Sequence, residues 1–209
     1  MMFILLAIVS AFAMTTCAST CILPEITCET AWEQMPNKLY QVFGGNDPFN
    51  EVTSCRTLTN IRPICNTQQM KINFTSYSET FGHASFDGVF QKKDTGTYKI
   101  IISEEAREDL ILHDKFIADV KKTGNAEDSN EEFNSFVDMD HVFYSCDGKV
   151  LIHVWCSDNG RVVQVFKGSA KSTAEDALYV HNTFAKWKNG WENVELYPST
   201  CSLQPASKF

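Results

Sequence analysis

The chain begins with an unbroken apolar run, Phe3 to Val9, and then gives way to short alternating segments separated by turn residues. The run is too short for a helix to cross about 30 Å of hydrocarbon. None of the first thirteen residues is charged, and Ala11 and Ala13 place small side chains at alternate positions. Residues 1–13 therefore read as a secretory signal peptide cut after Ala13, with a cut after Ala18 as the alternative. Residues 14–36 are cysteine-rich and irregular, and read as an arm tied to the domain by disulfides.

Period-two patterning begins at Leu39–Phe43 and stops at Gly44-Gly45-Asn46-Asp47-Pro48. From Gln68 to Tyr77, Met70, Ile72 and Phe74 share one face, and Lys71, Asn73 and Thr75 share the other. That is a half-buried strand. His83–Gln91 and Gly96–Ile102 predict two more strands around a Lys92–Gly96 turn, and Lys115–Lys121 a further one. Between these last two lies an acidic stretch, Glu104–Asp109, and a polar loop follows at Thr123–Glu132.

The clearest pattern is a meander of three runs, His141–Cys146, Lys149–Cys156 and Arg161–Lys167. Asp147-Gly148 and Asn159-Gly160 read as two-residue hairpin turns, because both residue types tolerate positive φ. This register sets Tyr144 against Leu151, Val142 against His153, and Trp155 against Gln164. One face then carries Val142, Tyr144, Leu151, His153, Trp155, Gln164 and Phe166, an aromatic and polar mixture suited to a pocket wall. The other carries Phe143, Val150, Ile152, Val154, Val163 and Val165, a packing surface.

Ser172-Thr173-Ala174-Glu175 has capping-box spacing, and Thr173, Ala177, Val180, Phe184 and Trp187 recur at helical intervals. A helix near 173–189 follows, stopped by Gly190, and it can cover the aliphatic face. Many strands on short turns with one late helix predict an all-β fold: an eight-stranded antiparallel up-and-down barrel over 37–201. Residues 202–209 read as a frayed tail. An immunoglobulin-like sandwich competes, but needs a central Trp between paired cysteines, and Trp155 adjoins Cys156 instead.

The eight cysteines, Cys17, Cys21, Cys28, Cys55, Cys65, Cys146, Cys156 and Cys201, form an even set if cleavage follows Ala13. In an exported chain they read as disulfides, with 105 complete pairings open. The register puts Cys146 and Cys156 on opposite faces, so each needs a distant partner. Net charge is −8, from 18 basic and 26 acidic residues, which argues against nucleic acid as a partner. No second segment could span a bilayer as a helix. Asn73-Phe74-Thr75 is the single glycosylation sequon.

No nucleophile triad is recognisable. His153 is the most informative histidine, since the register groups it with Tyr144, Trp155 and Gln164, where it could orient a polar ligand group. Asp138-Met139-Asp140-His141 superficially suggests a metal site, but adjacent acids before a strand more often solvate a loop. No metal and no obligatory cofactor are expected, and glycine-rich phosphate loops are absent.

From about Asn37 to Cys201 the chain resembles the lipocalin family. Asn37-Lys38-Leu39-Tyr40 stands where the family has Gly-x-Trp-Tyr, and matches it only at the Tyr. Asn46-Asp47-Pro48-Phe49-Asn50-Glu51-Val52-Thr53-Ser54-Cys55 resembles the strand-one exit of apolipoprotein D-like members and of the lipocalin-like domain of violaxanthin de-epoxidase. The helix Thr173–Trp187 and the exit Glu195–Cys201 also fit the pattern. The resemblance implies a barrel with a C-terminal helix and a Cys55–Cys201 disulfide. It further implies pairing of Cys28 with Cys156 or Cys146, and carriage of a small hydrophobic compound.

The expected function is thus a secreted carrier or sequestering protein for a hydrophobic or amphipathic ligand of pigment, carotenoid, sterol or fatty-acid class. The ligand wall is expected from Tyr40, Met70, Ile72, Phe74, Val142, Tyr144, Leu151, His153, Trp155, Gln164 and Phe166. The alternatives are an interaction or inhibitor module with a filled barrel, and an enzyme acting on a bound lipid. An enzyme is the less expected, and oligomeric state is not legible.

Overall fold

The computed structural model describes residues 21–45, 53–65, 67–78, 82–102, 136–157 and 160–201. The signal peptide, Cys17, the segment from Glu104 through the strand expected at 115–121 to the loop at 123–132, and the tail at 202–209 lie outside these residues.

Eight antiparallel strands close into a barrel: β1 (Lys38–Gly45), β2 (Cys55–Ile64), β3 (Gln69–Ser78), β4 (Gly82–Asp94), β5 (Thr97–Ile101), β6 (Asp140–Tyr144), β7 (Val150–Ser157) and β8 (Gly160–Lys167). Each pairs with its neighbour in sequence, and β1 closes the ring by pairing with both β8 and β2. A two-residue strand, β9 (Tyr197–Pro198), adds to the far end of β1 at Phe43 and Gly44. Closure leaves no long open edge. No period-two pattern announces the strand at Cys55–Ile64, where Arg62-Pro63 interrupts the alternation. The ladder with β3 shifts register between Thr59 and Arg62, around Asn60 at φ 53°.

The strands sort their side chains into two cores. Leu39, Leu58, Met70, Ile72, Phe74, Phe86, Phe90, Tyr98, Ile100, Phe143, Leu151 and Phe166 pack inside the barrel. Val42, Phe43, Val142, Val150, Ile152, Val154, Val163 and Val165 pack outside it, under the helix α1 (Ala174–Trp187) and Trp191. Both faces of β6–β8 are buried, which explains their nearly continuous apolar runs. Thr173 caps α1: its hydroxyl accepts the Asp176 N–H while the Asp176 carboxylate accepts the Thr173 N–H. Val180 and Phe184 are the helix's buried anchors. Burying each such side chain stabilises by about 1.5–3 kcal/mol.

Residues 21–26 run over the outer core from the β7–β8 end, and the arm then crosses the end of the barrel where the β4–β5 and β6–β7 turns lie. Trp32 donates its indole N–H to the Tyr98 hydroxyl at 2.9 Å and meets the Phe143 ring edge-on. Ala31 N–H bonds to the Ser145 carbonyl. Disulfides Cys21–Cys156 and Cys28–Cys146 fix this arm, and Cys55–Cys201 joins the start of β2 to the C-terminal segment. They close spans of 135, 118 and 146 residues, each worth about 2–4 kcal/mol. Cys65, expected in a disulfide, is exposed and forms none among the described residues.

The register of the first hairpin differs from expectation by one residue. Tyr144 pairs with Ile152, Phe143 with His153, Val142 with Val154 and His141 with Trp155. The connection is the five-residue stretch between Tyr144 and Val150, with Gly148 at φ 71°. Asp147 accepts the Lys149 N–H, and the Gln34 side chain sits so close to Gly148 that a Cβ there would lie 2.6 Å from it. The second hairpin differs by two residues: Ser157 pairs with Gly160 and His153 with Gln164. A shift of one exchanges faces, and a shift of two preserves them.

Candidate functional site

The barrel interior has a dry end and a polar end. Toward the arm, Leu39, Leu58, Phe90, Phe143, Leu151 and Phe166 are essentially inaccessible and fill the cross-section. Gly88 belongs to this packing, because a Cβ there would come within 2.8 Å of the Phe90 ring. Toward the opposite end the inner face changes character. Arg56 on β2, Ser76 on β3, His141 on β6, His153 on β7 and Gln164 on β8 are all buried, and Trp155 lies beside them. Alternation accounts for this placement: Arg56 is two residues from Leu58, Ser76 two from Phe74, and Gln164 two from Phe166.

Arg56 is 5% exposed, and its Nε donates to the Ser76 hydroxyl at 3.3 Å. Among the described residues it is the charged side chain most deeply set into the inner wall. Aromatic rings line the same end of the barrel. Phe74 stacks on Phe86 at 4.9 Å, and Phe136 meets Trp155 edge-on at 5.3 Å.

A hydrogen-bonded row crosses this wall. His141 Nε2 lies 2.8 Å from the Phe136 carbonyl, His141 Nδ1 lies 3.0 Å from His153 Nε2, and His153 Nδ1 lies 3.3 Å from Gln164 Oε1. The His153 ring stacks on Phe143 at 4.3 Å. Burial pushes the His141 imidazole down to about 4, outweighing the opposing effects of the Phe136 carbonyl and Asp140. Burial, with His141 and Arg56 nearby, holds His153 well below its ordinary value. Both rings are neutral at pH 7.

The structure brings His153, Trp155, Gln164 and Phe74 together at the polar end. Met70, Ile72, Leu151 and Phe166 also face inward, but in the dry half. Three expected wall residues do not face inward. Val142 and Tyr144 lie outside, where Tyr144 meets Trp187, because the one-residue register shift turns them over. Tyr40 is also outside, paired with Thr57 and Lys167 and with the Lys38 ammonium 5.4 Å from its ring. His141, Phe143 and Arg56 take the inner places. Arg56 lies on the strand missed in the sequence, so no pattern singled it out.

Asn73 lies on the outer face of β3. Its amide nitrogen donates to Asp87 at 3.0 Å, and its oxygen accepts from Thr59 and Thr75. Among the described residues no group of three metal-ligating side chains converges, and no helix is long and apolar enough to cross a membrane.

This closed barrel, with its late helix packed on the outside of β6–β8, has the lipocalin fold. It is shared with the cockroach major allergen Per a 4, at 12% identity and a TM-score of 0.55, over 87% of this chain and 94% of that one. Lobster apocrustacyanin A1 shares it at 11% identity and a TM-score of 0.50, over 90% and 93%. Apocrustacyanin C1 does so at 10% identity and a TM-score of 0.50, over 88% and 92%. No protein-family model matches the chain, and no curated protein sequence matches it.

Proposed function

We propose that the chain is a secreted binding protein that takes a small amphipathic molecule at the polar end of its barrel. One observation carries this reading: a buried guanidinium, Arg56, stands on the inner wall with its Nε on the Ser76 hydroxyl, at the end of the barrel where His153, Gln164 and the Trp155 ring also lie. Burying a charge costs several kcal/mol, and a core built only for stability would place an aliphatic side chain there. Few polar groups set in an aromatic surround are the composition of a ligand site. The apolar part of the guest contributes through area removed from water, and the polar ring sets its orientation. The filled arm-side half restricts the guest to the polar half. The reading therefore favours a compact ligand over a long one threaded through the barrel.

The export signal at 1–13, the arm at 14–36 and the barrel at 37–201 belong to the same reading. Three disulfides suit an oxidising compartment. Asn73 on the outer face is the proposed glycan site, which a mass shift on enzymatic deglycosylation checks.

A second reading, an interaction module with a solid barrel, is favoured by one contact. The Phe74 and His153 rings approach to 6.2 Å across the interior from β3 to β7. Native mass spectrometry of the purified full chain, with extraction of any copurifying molecule, separates the two. A binding protein shows a discrete added mass or takes up the neutral fluorophore N-phenyl-1-naphthylamine, with weaker uptake in Arg56→Met. Neither added mass nor uptake establishes the solid barrel.

A further inference from the structure

Four rings close a circuit across the barrel interior. Phe74 of β3 lies 5.8 Å from Phe90 of β4, and Phe90 lies 5.1 Å from Phe143 of β6. Phe143 stacks on His153 of β7 at 4.3 Å, and His153 returns to Phe74 at 6.2 Å. Centroid separations up to about 7 Å are ring contacts, so the four form a septum. Leu39, Leu58, Leu151 and Phe166 fill the cross-section beside it. Accessibility stops at this level. Phe90, Phe143 and His153 are wholly buried, whereas Phe74 keeps 6% of its surface exposed and Arg56 keeps 5%.

Gly88 is what lets the septum form. It sits on the inner row of β4 between Phe86 and Phe90. A Cβ there would stand 2.8 Å from the Phe90 ring and 3.4 Å from the Phe74 ring, so both rings lie over the bare glycine backbone. Phe90 holds the crossing together, since it also meets Phe143 and His141 edge-on. Its partners in the ladder are Met70 and Ile100, both apolar and both buried on the inner face. Removing the Phe90 ring therefore opens the septum into an oily space.

We infer that Phe90, seated over Gly88, sets the length of the ligand: the septum is a floor that admits an amphiphile with a short apolar part and rejects long-chain lipids and polyenes. The inference rests on the proposed ligand site and names the guest that it admits. Arg56 pairs with Ser76 one inner row beyond the pairing of Leu58 with Phe74. One inner row is two residues, about 7 Å of strand, which matches an apolar part of about five or six carbons or a single ring. A guest whose polar group lies at Arg56 and Ser76 meets the septum at that depth. Further methylenes find no apolar room inward and turn back toward water.

The test uses the full chain and the straight-chain primary alcohols from butanol to decanol, with binding followed by the Trp155 indole N–H resonance. In the wild type, affinity should rise about fourfold per methylene and level off near hexanol. In Phe90→Ala the rise should continue for about three further carbons, and in Phe90→Leu for about one. Phe90→Leu carries the test if the alanine variant does not fold, which near-ultraviolet circular dichroism reports. A wild-type rise that continues to decanol overturns the floor, as does a levelling point that the folded variants leave unmoved. Binding to a Phe90 variant with none to the wild type keeps the septum and removes the ligand site as proposed. Binding to neither removes the ligand site, and xenon then decides the septum. Xenon under pressure should move the Leu58 and Leu151 methyl resonances in the variants and not in the wild type, and any other pattern overturns it.

Discussion

The phenol ring of Tyr144 meets the indole of Trp187 edge to face, 5.3 Å between centroids, on the outside of the barrel. The contact joins β6 to the last turn of α1, and it fixes which way every residue of β6 points. With Tyr144 outside, Phe143 and His141 are inside.

Tyr144→Ala should therefore affect stability and not binding. Loss of the ring and its aromatic partner should cost about 1–2 kcal/mol. Urea unfolding measures that loss, and N-phenyl-1-naphthylamine affinity should stay within about twofold. Normal stability with lost affinity would return Tyr144 to the inner wall.

Stability should fall as pH drops from about 6.5 toward 4. His141 titrates near 4 in the folded chain and near 6.5 when unfolded, so over that interval the unfolded chain binds more protons. The stability is fully present above the unfolded value and is lost as pH falls to the folded one, about 3 kcal/mol for this residue. His153 is shifted in the same direction. Urea midpoints across pH 4–7 check this, and His141→Asn should reduce the slope.

Non-reducing peptide mapping should recover Cys21–Cys156, Cys28–Cys146 and Cys55–Cys201 as linked pairs. Replacing Cys55 and Cys201 together by Ala should lower stability by about 2–4 kcal/mol. A Cys146–Cys156 peptide would contradict the hairpin register.

Thr173→Ala should cost about 1 kcal/mol, because it removes the cap of α1. Burial works against ionisation of Asp176, but the hydrogen bonds from Lys167 and Thr173 outweigh it and hold the carboxyl below its ordinary range. The contribution of Asp176 is therefore present above that range and lost as pH falls through it. Thermal unfolding of Thr173→Ala and Asp176→Asn at pH 7 and pH 3 tests both points. The Asn variant should differ from wild type more at pH 7.

Gly88→Ala should destabilise by about 1–3 kcal/mol, since its Cβ would press on the Phe90 ring in a filled cross-section. A neutral or stabilising effect, measured by urea unfolding, would show spare volume in the arm-side half.

Much of the fold was legible in local pattern. The period-two run Met70, Ile72, Phe74 lies inward as read, and Thr173 begins the helix that its stripe announced. The faces of β7 and β8 also survive, because a two-residue shift keeps parity. The first hairpin failed for a non-local reason. Asp147-Gly148 looks like a two-residue turn, but the connection is longer and Gln34 from the arm packs against Gly148. No pattern within the hairpin reports a contact made from more than a hundred residues away. That single slip exchanged Val142 and Tyr144 for His141 and Phe143 in the expected site. Arg56 was hidden differently: its strand carries Pro63 and a register shift, so its alternation is broken where a reader would look for it.

The covalent ties are unevenly distributed round the ring. The two arm disulfides tie the β6–β7 connection and the far end of β7, whereas β3, β4 and β5 contain no cysteine. One flank of the cylinder is riveted, and the other is held by its ladder, its rings and the arm's noncovalent contacts with Tyr98 and Lys92. If the interior takes a guest, as proposed, the flank carrying Phe74 and Phe86 is the one that no disulfide among the described residues restrains.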